Sequence, residues 1–362
     1  MSASASLRSS IKIVDTLPSL ISFLDDLTSA LTVPNCTSTL YLSISPRNIT
    51  IPSILMIHWI PPYLHGAAQN NPIYLLDLSA LSAKTLVNTH SSERSLTIMQ
   101  FTHAPSPGQA FETDIPEHIS LRTLFESPHI PKVVFDVRDI SHFLYTECDI
   151  SLAGVKDLQL MEVAVRDGVK DNLGDLAKCV ELHSPLSSAL KKEWEAKRVA
   201  LLKIESQPCE QRPMRQDTMQ HYAGEVCMLP GVYRVLCTIL RPEKQAFWRN
   251  EIETETKNRI EASQSPTYNI LEKNRAWSSW AEEYIEAASE SWNEDVFDQA
   301  RRSKEAEGDR FEEVLEIMRE RRILDEMGFA DEEEEKDLCC YDDTARDSIG
   351  WEEDMVKNGE PF

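Results

Sequence analysis

Between Ile130 and Arg166 the spacing of apolar side chains changes rhythm, and each change predicts an element. Lys132 to Val137 (KVVFDV) is a run of β-branched and aromatic residues without a turn former, which predicts a buried strand. Arg138 to Ser141 turns the chain. His142 to Thr146 then reads as the first turns of a helix with Phe143 and Leu144 facing inward. A second short strand is predicted at Ile150 to Leu152, ending in Ala-Gly. From Asp157, the run DLQLMEVAVR places Leu158, Met161 and Val165 at helical spacing. Strand, helix, strand, helix is the grammar of an α/β domain.

The flanking regions extend the pattern. Ile11 to Asp15 (IKIVD) predicts an edge strand. Thr16 and Pro18 open an amphipathic helix carrying Leu20, Ile21, Phe23, Leu24 and Leu27 on its apolar side. Three strands follow, at Thr39 to Ile44, Ser53 to Ile60 and Ile73 to Leu78, with a hairpin loop from Pro61 to Pro72. Consecutive strands ahead of any long helix favour an antiparallel start to the sheet. Residues 84–118 read as a loose connection, apart from a short apolar patch at Leu96 to Phe101. Helices are expected at Ser120 to Glu126, Leu173 to Leu182, Ser184 to Lys203, Asp217 to Leu240 and Phe247 to Ser263, with a Pro-rich break at Gln207 to Pro213. Ala281 to Met327 is charge-dense with helical period, and the acidic stretch from Asp331 (DEEEEKD) reads as a disordered tail.

Charge sharpens this division. The 362 residues carry a formal charge of −23, and residues 281–362 hold 29 acidic and 10 basic side chains, a balance of −19. The first 280 residues are therefore nearly neutral, so overall acidity does not exclude a nucleic-acid partner and gives no positive hint of one. The eight cysteines (36, 148, 179, 209, 227, 237, 339 and 340) form no CxxC pair, which implies free thiols in a reducing compartment and no structural zinc. The adjacent Cys339 and Cys340 read as incidental. The start MSASASLRSS lacks an apolar core, and no apolar run reaches ~18 residues. Cytoplasmic or nuclear residence, without a membrane, is the expectation.

The motif IPKVVFDVRDIS…GVKDLQLME resembles the second conserved block of the 3′–5′ exonuclease domain family, in the RNase D-like branch of the DEDD superfamily. Within that branch the motif resembles fungal exonuclease-domain proteins. The resemblance runs from about Ile11 to Trp280 and implies a ribonuclease H-like α/β fold, a mixed sheet flanked by helices, with a C-terminal helical extension. The domains expected are a flexible lead (1–10), the exonuclease-like domain (11–240), the helical extension (241–330) and the acidic tail (331–362).

The resemblance also implies a chemistry. Such enzymes strip nucleotides from 3′ ends of RNA or DNA with two divalent ions about 3.5–4 Å apart. Hard Mg²⁺ or Mn²⁺ takes carboxylate oxygen, and neutral hydroxyls or aliphatic groups do not replace it. The family's first block, LYxDxEG, corresponds to Leu40 to Pro46, where Ser43 and Ser45 stand in place of both acids. Its second block, FDVRNDSDAL, corresponds to FDVRDISHFL, where the ligand position is Ile140. Its third block, YCxxDVxxLPxL, corresponds to His221 onward, where Glu225 keeps a carboxylate and His221 takes the water-orienting position. Arg212-Pro213-Met214 resembles the family's RPL. Glu253 to Glu255 and Arg259 to Tyr268 resemble the post-domain segment of fungal members.

With one of four acids left, the resemblance implies a catalytically degenerate member that binds single-stranded RNA or DNA, or acts as an adaptor, without a cofactor. An active Mg²⁺ or Mn²⁺ enzyme would need a rearranged site built from Glu225 with Asp136 or Asp139. A third reading is a scaffold that meets a protein partner through the acidic C-terminal extension. Locally, Asp139 and Asp157 read as helix N-caps, and Asp149 lies near the lost ligand without an assigned role. Glu225 and His221 read equally as an i,i+4 surface pair or as the remnant of a site. Ser43 and Ser45 lack the partners of a nucleophile. Trp248, Trp277 and Trp280 read as packing residues before base-stacking ones. The terminal WEEDMVKNGEPF suits a docking peptide or an unselected tail.

Overall fold

The computed structural model describes residues 10–31, 38–45, 54–60, 71–84, 120–204, 213–271 and 273–298, with isolated positions 301, 302, 316, 317 and 319. Among these, six strands form one mixed sheet: β1 (Ile11–Val14), β2 (Thr39–Ser45), β3 (Ile54–Ile60), β4 (Ile73–Asp77), β5 (Lys132–Val134) and β6 (Val155–Asp157). Their order is β1-β4-β3-β2-β5-β6. The β2–β3 and β3–β4 pairs are antiparallel, while β1–β4, β2–β5 and β5–β6 are parallel. The antiparallel meander followed by two parallel strands beside β2 is the arrangement of a ribonuclease H-like sheet, with β1 added at the far edge.

Alternation along the strands sends side chains into two apolar layers. Tyr41, Met56, Leu75, Val133 and Phe135 enter the layer built with α5 (Leu158–Val165), α6 (Leu176–His183) and α8 (Gln216–Leu240). Leu40, Leu42, Ile44, Leu55, Ile57 and Val134 enter the other, built with α1 (Leu17–Leu31), α2 (Leu78–Lys84), α3 (Leu121–Glu126) and α4 (Val137–Cys148). α1 is tied to the sheet edge by polar contacts: the Tyr74 hydroxyl donates to Asp26 at 2.6 Å and the Lys12 ammonium to the same carboxylate at 2.8 Å. α8 is long and apolar enough to cross a membrane by length and composition alone. Here Tyr222, Val226, Leu229, Val232, Leu236 and Leu240 are buried in the core layer.

The central unit departs from its sequence-based expectation in four places, the first being that Arg138 to Ser141, expected as a turn, lie in the first turns of α4, which starts at Val137 under the Asp136 cap. The strand at Lys132 stops at Val134, because the next backbone N–H groups are taken by a side chain: Asp136 and Val137 donate to the Asp157 carboxylate at 3.0 and 3.1 Å. The N-cap of α4 is Asp136, held at φ 63° and accepting from Arg138 N, whereas Asp139 lies inside the first turn. The strand expected at Ile150 to Leu152 lies at Val155–Asp157 instead. Ile150 and Leu152 are buried, but Ile150 N donates to Leu144 O and Ala153 N to Phe125 O, which spends that backbone on loop closure. Gly154, at φ +66°, then turns the chain into β6, and a Cβ there would sit 2.9 Å from the carbonyl oxygens of both Pro128 and Ile130.

Residues after Leu240, expected as a separate extension, include α9 (Ala246–Ser263), which packs on α4, α5 and β6. α7 (Ser188–Ile204) packs on α6 and α8. The chain divides into two compact units, Met1–Ser289 and Glu290–Phe362. The expected hairpin loop from 61, the connection at 85–118, most of the 207–213 break, nearly all of the charge-dense segment beyond 298 and the acidic tail lie outside the described residues, as do Cys36, Cys209, Arg212, Cys339 and Cys340. Cys148, Cys179, Cys227 and Cys237 are free thiols.

Candidate functional site

β2 is a central strand, flanked by β3 and β5. Tyr41, Ser43 and Ser45 share one face by alternation, and the Tyr41 ring meets Tyr233 of α8 edge-on at 6.2 Å. α8 therefore covers the face that carries both serines. Ser43 and Ser45 are 5% and 6% exposed, opposite Met56 and Ile54 across the β2–β3 pair. Burial raises the hydroxyl pKa of both Tyr41 and Tyr233. The face is thus covered, and its β2 residues Tyr41, Ser43 and Ser45 bring no carboxylate to it.

On α8 the residues Tyr222, Val226, Leu229, Tyr233, Leu236 and Leu240 repeat every three or four positions and form the stripe against the sheet core. Glu225 lies just beside that stripe, one turn after His221. Their side chains are only 16% and 9% exposed, and Nε2 of His221 stands 3.8 Å from Oε1 of Glu225. Burial lowers the pKa of His221, opposed by Glu225 and reinforced by Arg198 of α7. Trp194 and Arg198 of α7 line this side, and Trp194 packs beside Gly224. The pair is i,i+4 on the helix yet largely covered.

Ile140 sits elsewhere. It is 3% exposed in the apolar layer of Leu42, Ile44, Phe143 and Leu144, on the side of the sheet opposite the serine-bearing face of β2. Its neighbours Asp136 and Asp139 are engaged by arginines. Arg138 grips Asp136 through Nε and Nη2 at 2.7 and 2.8 Å, and Arg275 reaches Asp139 at 2.6 Å and Asp136 at 3.5 Å. Burial pushes the Asp136 carboxyl up, but the Arg138 hydrogen bonds and charge outweigh it and hold the group well below the usual carboxylate range. Asp149 is the left-handed C-cap of α4.

Asp157 caps α5, as its sequence context predicts, accepting from Gln159 N at 2.9 Å. It also does more than the sequence indicates. The fully buried carboxylate accepts from Asp136 N and Val137 N and pairs with Arg259 of α9 at 3.0 Å. Arg259 donates to Gln159 as well, also at 3.0 Å. Local sequence does not mark Arg138, Arg259 and Arg275 as partners of these acids. Arg259 also stands 3.6 Å from Glu255, one turn earlier on α9, with both side chains largely covered. Among the described residues no group of three or more His, Cys, Asp and Glu side chains is placed to hold a metal ion.

Of the three tryptophans, Trp280 is buried, meeting Trp248 edge-on at 5.3 Å, and Lys170 lies over the Trp248 ring at 4.8 Å. Trp277 is 60% exposed and bridges to Asn172 through its backbone.

The structure is similar to RNase D. A crystal structure of Trypanosoma brucei RNase D in complex with RNA U12 matches at a TM-score of 0.49 and 14% identity, over 76% of this chain and 78% of that one. The EXO domain of Aedes aegypti Nibbler matches at 0.40 and 14%, over 67% and 94%. Brucella melitensis NrnC bound to pGG matches at 0.40 and 13%, over 72% and 98%. No protein-family model and no curated protein matches the sequence. The fold assignment rests on the strand order and the helices packed on both sheet faces.

Proposed function

We propose that this chain is a catalytically degenerate 3′–5′ exonuclease-family protein, of the fungal RNase D-like kind, that acts by binding single-stranded nucleic acid rather than cutting it. The carrying observation is the pair Ser43 and Ser45, buried side by side on the α8-facing side of β2 where the family's blocks call for two carboxylates. Two divalent ions bring four positive charges that carboxylates have to balance, and two hydroxyls supply none of that charge. Ile140 lies in the opposite apolar layer, leaving Glu225 with His221 as the remainder. The residues present therefore do not fit a two-ion centre. A rearranged centre using Asp136 or Asp139 is disfavoured because both carboxylates already hold arginines.

Calorimetric titration with Mn²⁺ tests this reading. The unmodified protein is expected to show no saturable binding, whereas the Ser43→Asp, Ser45→Glu protein, which adds two carboxylates on the face of Glu225's helix, gains it. Saturable binding by the unmodified protein that is lost in Glu225→Gln would overturn the reading.

A further inference from the structure

Leu173 N donates to Ala276 O at 2.9 Å and Ser278 N to Asp171 O at 2.7 Å, which makes an isolated antiparallel bridge between Asn172 and Trp277. Bonds that flank a pair in this way leave its two side chains close together on one side. Asn172 is exposed and the Trp277 indole is 60% exposed, so that side faces solvent. Behind it lies an aromatic floor. Trp280, three residues on, is buried edge-on to Trp248 at 5.3 Å. Lys170 lies over the Trp248 ring, and the adjacent Val169 is turned outward at 71% exposure. Tyr284, 45% exposed, donates to Glu251 of α9, three residues after Trp248.

The backbone that presents these side chains is pinned. Lys170 donates to the carbonyls of Val163, Ala164 and Arg166 at the end of α5. Arg166 donates to Asn172 O at 2.7 Å and holds Glu162 at 3.0 Å. Both cations are thereby engaged. Asp167, Asp171, Glu282 and Glu283 make no ion pair and no side-chain hydrogen bond among the described residues. Nor does the Trp277 indole have a ring or a cation against it among them. Exposed apolar side chains gathered on a rigid backbone mark an interaction surface. Unbalanced carboxylates around them repel phosphate groups and favour a cationic partner. Arginine meets both demands, because its planar guanidinium stacks on an indole and pairs with carboxylate oxygens.

We propose that Trp277 and Val169, flanked by Asp167 and Asp171, dock a partner protein through a segment that carries arginine and apolar side chains. Trp277 takes a guanidinium on its ring face, Val169 packs an apolar side chain, and the two carboxylates balance the incoming charge. This surface does not depend on nucleic-acid binding and goes beyond the function proposed above.

The test is titration of the full chain with a short synthetic peptide of alternating arginine and leucine in about 0.15 M NaCl. Peptide anisotropy and tryptophan emission are the readouts. Saturable binding is expected, weakened about tenfold in Trp277→Ala and about threefold in the Asp167→Asn, Asp171→Asn protein. Trp277→Phe, which keeps an aromatic face, should retain most of it. An arginine–serine peptide of equal charge should bind about fivefold more weakly, which separates this surface from simple attraction to the acidic residues beyond Ser289. Circular dichroism melting checks that each variant folds. Arginine–leucine binding that is equal in the unmodified and Trp277→Ala proteins, or absent from both, would overturn the proposal. Equal binding of the two peptides would overturn it too. Single-stranded RNA that quenches the emission of the unmodified protein but not of Trp277→Ala, with no competition from the peptide, would reassign the indole to nucleobases. A dimer in sedimentation equilibrium that Trp277→Ala abolishes would reassign the surface to a second copy of the chain. Either reassignment would overturn the proposal.

Discussion

The Arg259 guanidinium and the Asp157 carboxylate, 102 residues apart in sequence, meet at 3.0 Å with side-chain exposures of 5% and 0%. This pair joins α9 to the junction of β6 and α5, and Asp157 simultaneously takes the two N–H groups that end β5. One carboxylate thereby sets the end of a strand, the start of a helix and the seat of another helix. Removing Arg259 leaves that carboxylate buried without its counter-charge, a change that costs about 3–5 kcal/mol in comparable buried pairs. Arg259→Ala is therefore expected to lower the urea midpoint strongly, and a midpoint within error of the unmodified protein would refute the coupling.

A second anchor is apolar. Trp280 is buried against Trp248, which itself lies under Lys170, whose ammonium donates to the carbonyls of Val163, Ala164 and Arg166 at the end of α5. Trp280→Ala is expected to cost about 3–5 kcal/mol. Trp277→Ala, at an exposed site, should change stability by less than about 0.5 kcal/mol. Equal losses from the two substitutions in urea melts would mean that the indole packing is misassigned.

Gly154 holds the turn into β6 at a positive φ, with no room for a Cβ between the carbonyls of Pro128 and Ile130. Its own carbonyl accepts from Lys132 N at 2.9 Å, which starts the β5–β6 pairing. Gly154→Ala combines the left-handed penalty of about 1–2 kcal/mol with that collision. A clear drop in melting temperature is expected, measured by circular dichroism.

pH dependence follows from His58, which is 2% exposed beside Tyr41, with Nδ1 3.3 Å from the Pro72 carbonyl. Burial pushes its pKa down to about 4 from 6.5. The folded state thus resists a proton that the unfolded chain accepts, so stability is full above about pH 6.5 and is lost as pH falls toward 4. His221 and His183, also lowered by burial, act in the same direction. At pH 5 the His58 share is about 2 kcal/mol. Urea melts at pH 7.5 and pH 5 should differ more for the unmodified protein than for His58→Leu, and identical differences would contradict the assignment.

Much of the architecture was legible because strand alternation is local. The runs at Ile11, Thr39, Ser53 and Ile73 form β1 to β4 within a residue or so at each end, with β1 at the edge as expected. Where backbone hydrogen bonds go to distant groups, local pattern gives no warning. Ile150 and Leu152 look like a strand because they are buried, yet their segment closes a loop. Asp139 looks like a cap by position, while Asp136 caps in a left-handed conformation that few non-glycine residues adopt. Site positions follow from the resemblance to the family's conserved blocks. That resemblance does not reveal that Ile140 faces the opposite layer from the β2 serines, or that arginines from remote segments hold Asp136, Asp139 and Asp157.

The central claim concerns the serine-bearing face of β2, and the most direct measurement is degradation of 5′-labelled single-stranded RNA and DNA by the unmodified protein with Mn²⁺. Intact substrate is expected at all times, with 3′ shortening only from the protein carrying Ser43→Asp and Ser45→Glu. A 3′-shortening ladder from the unmodified protein, abolished by EDTA, would contradict the claim.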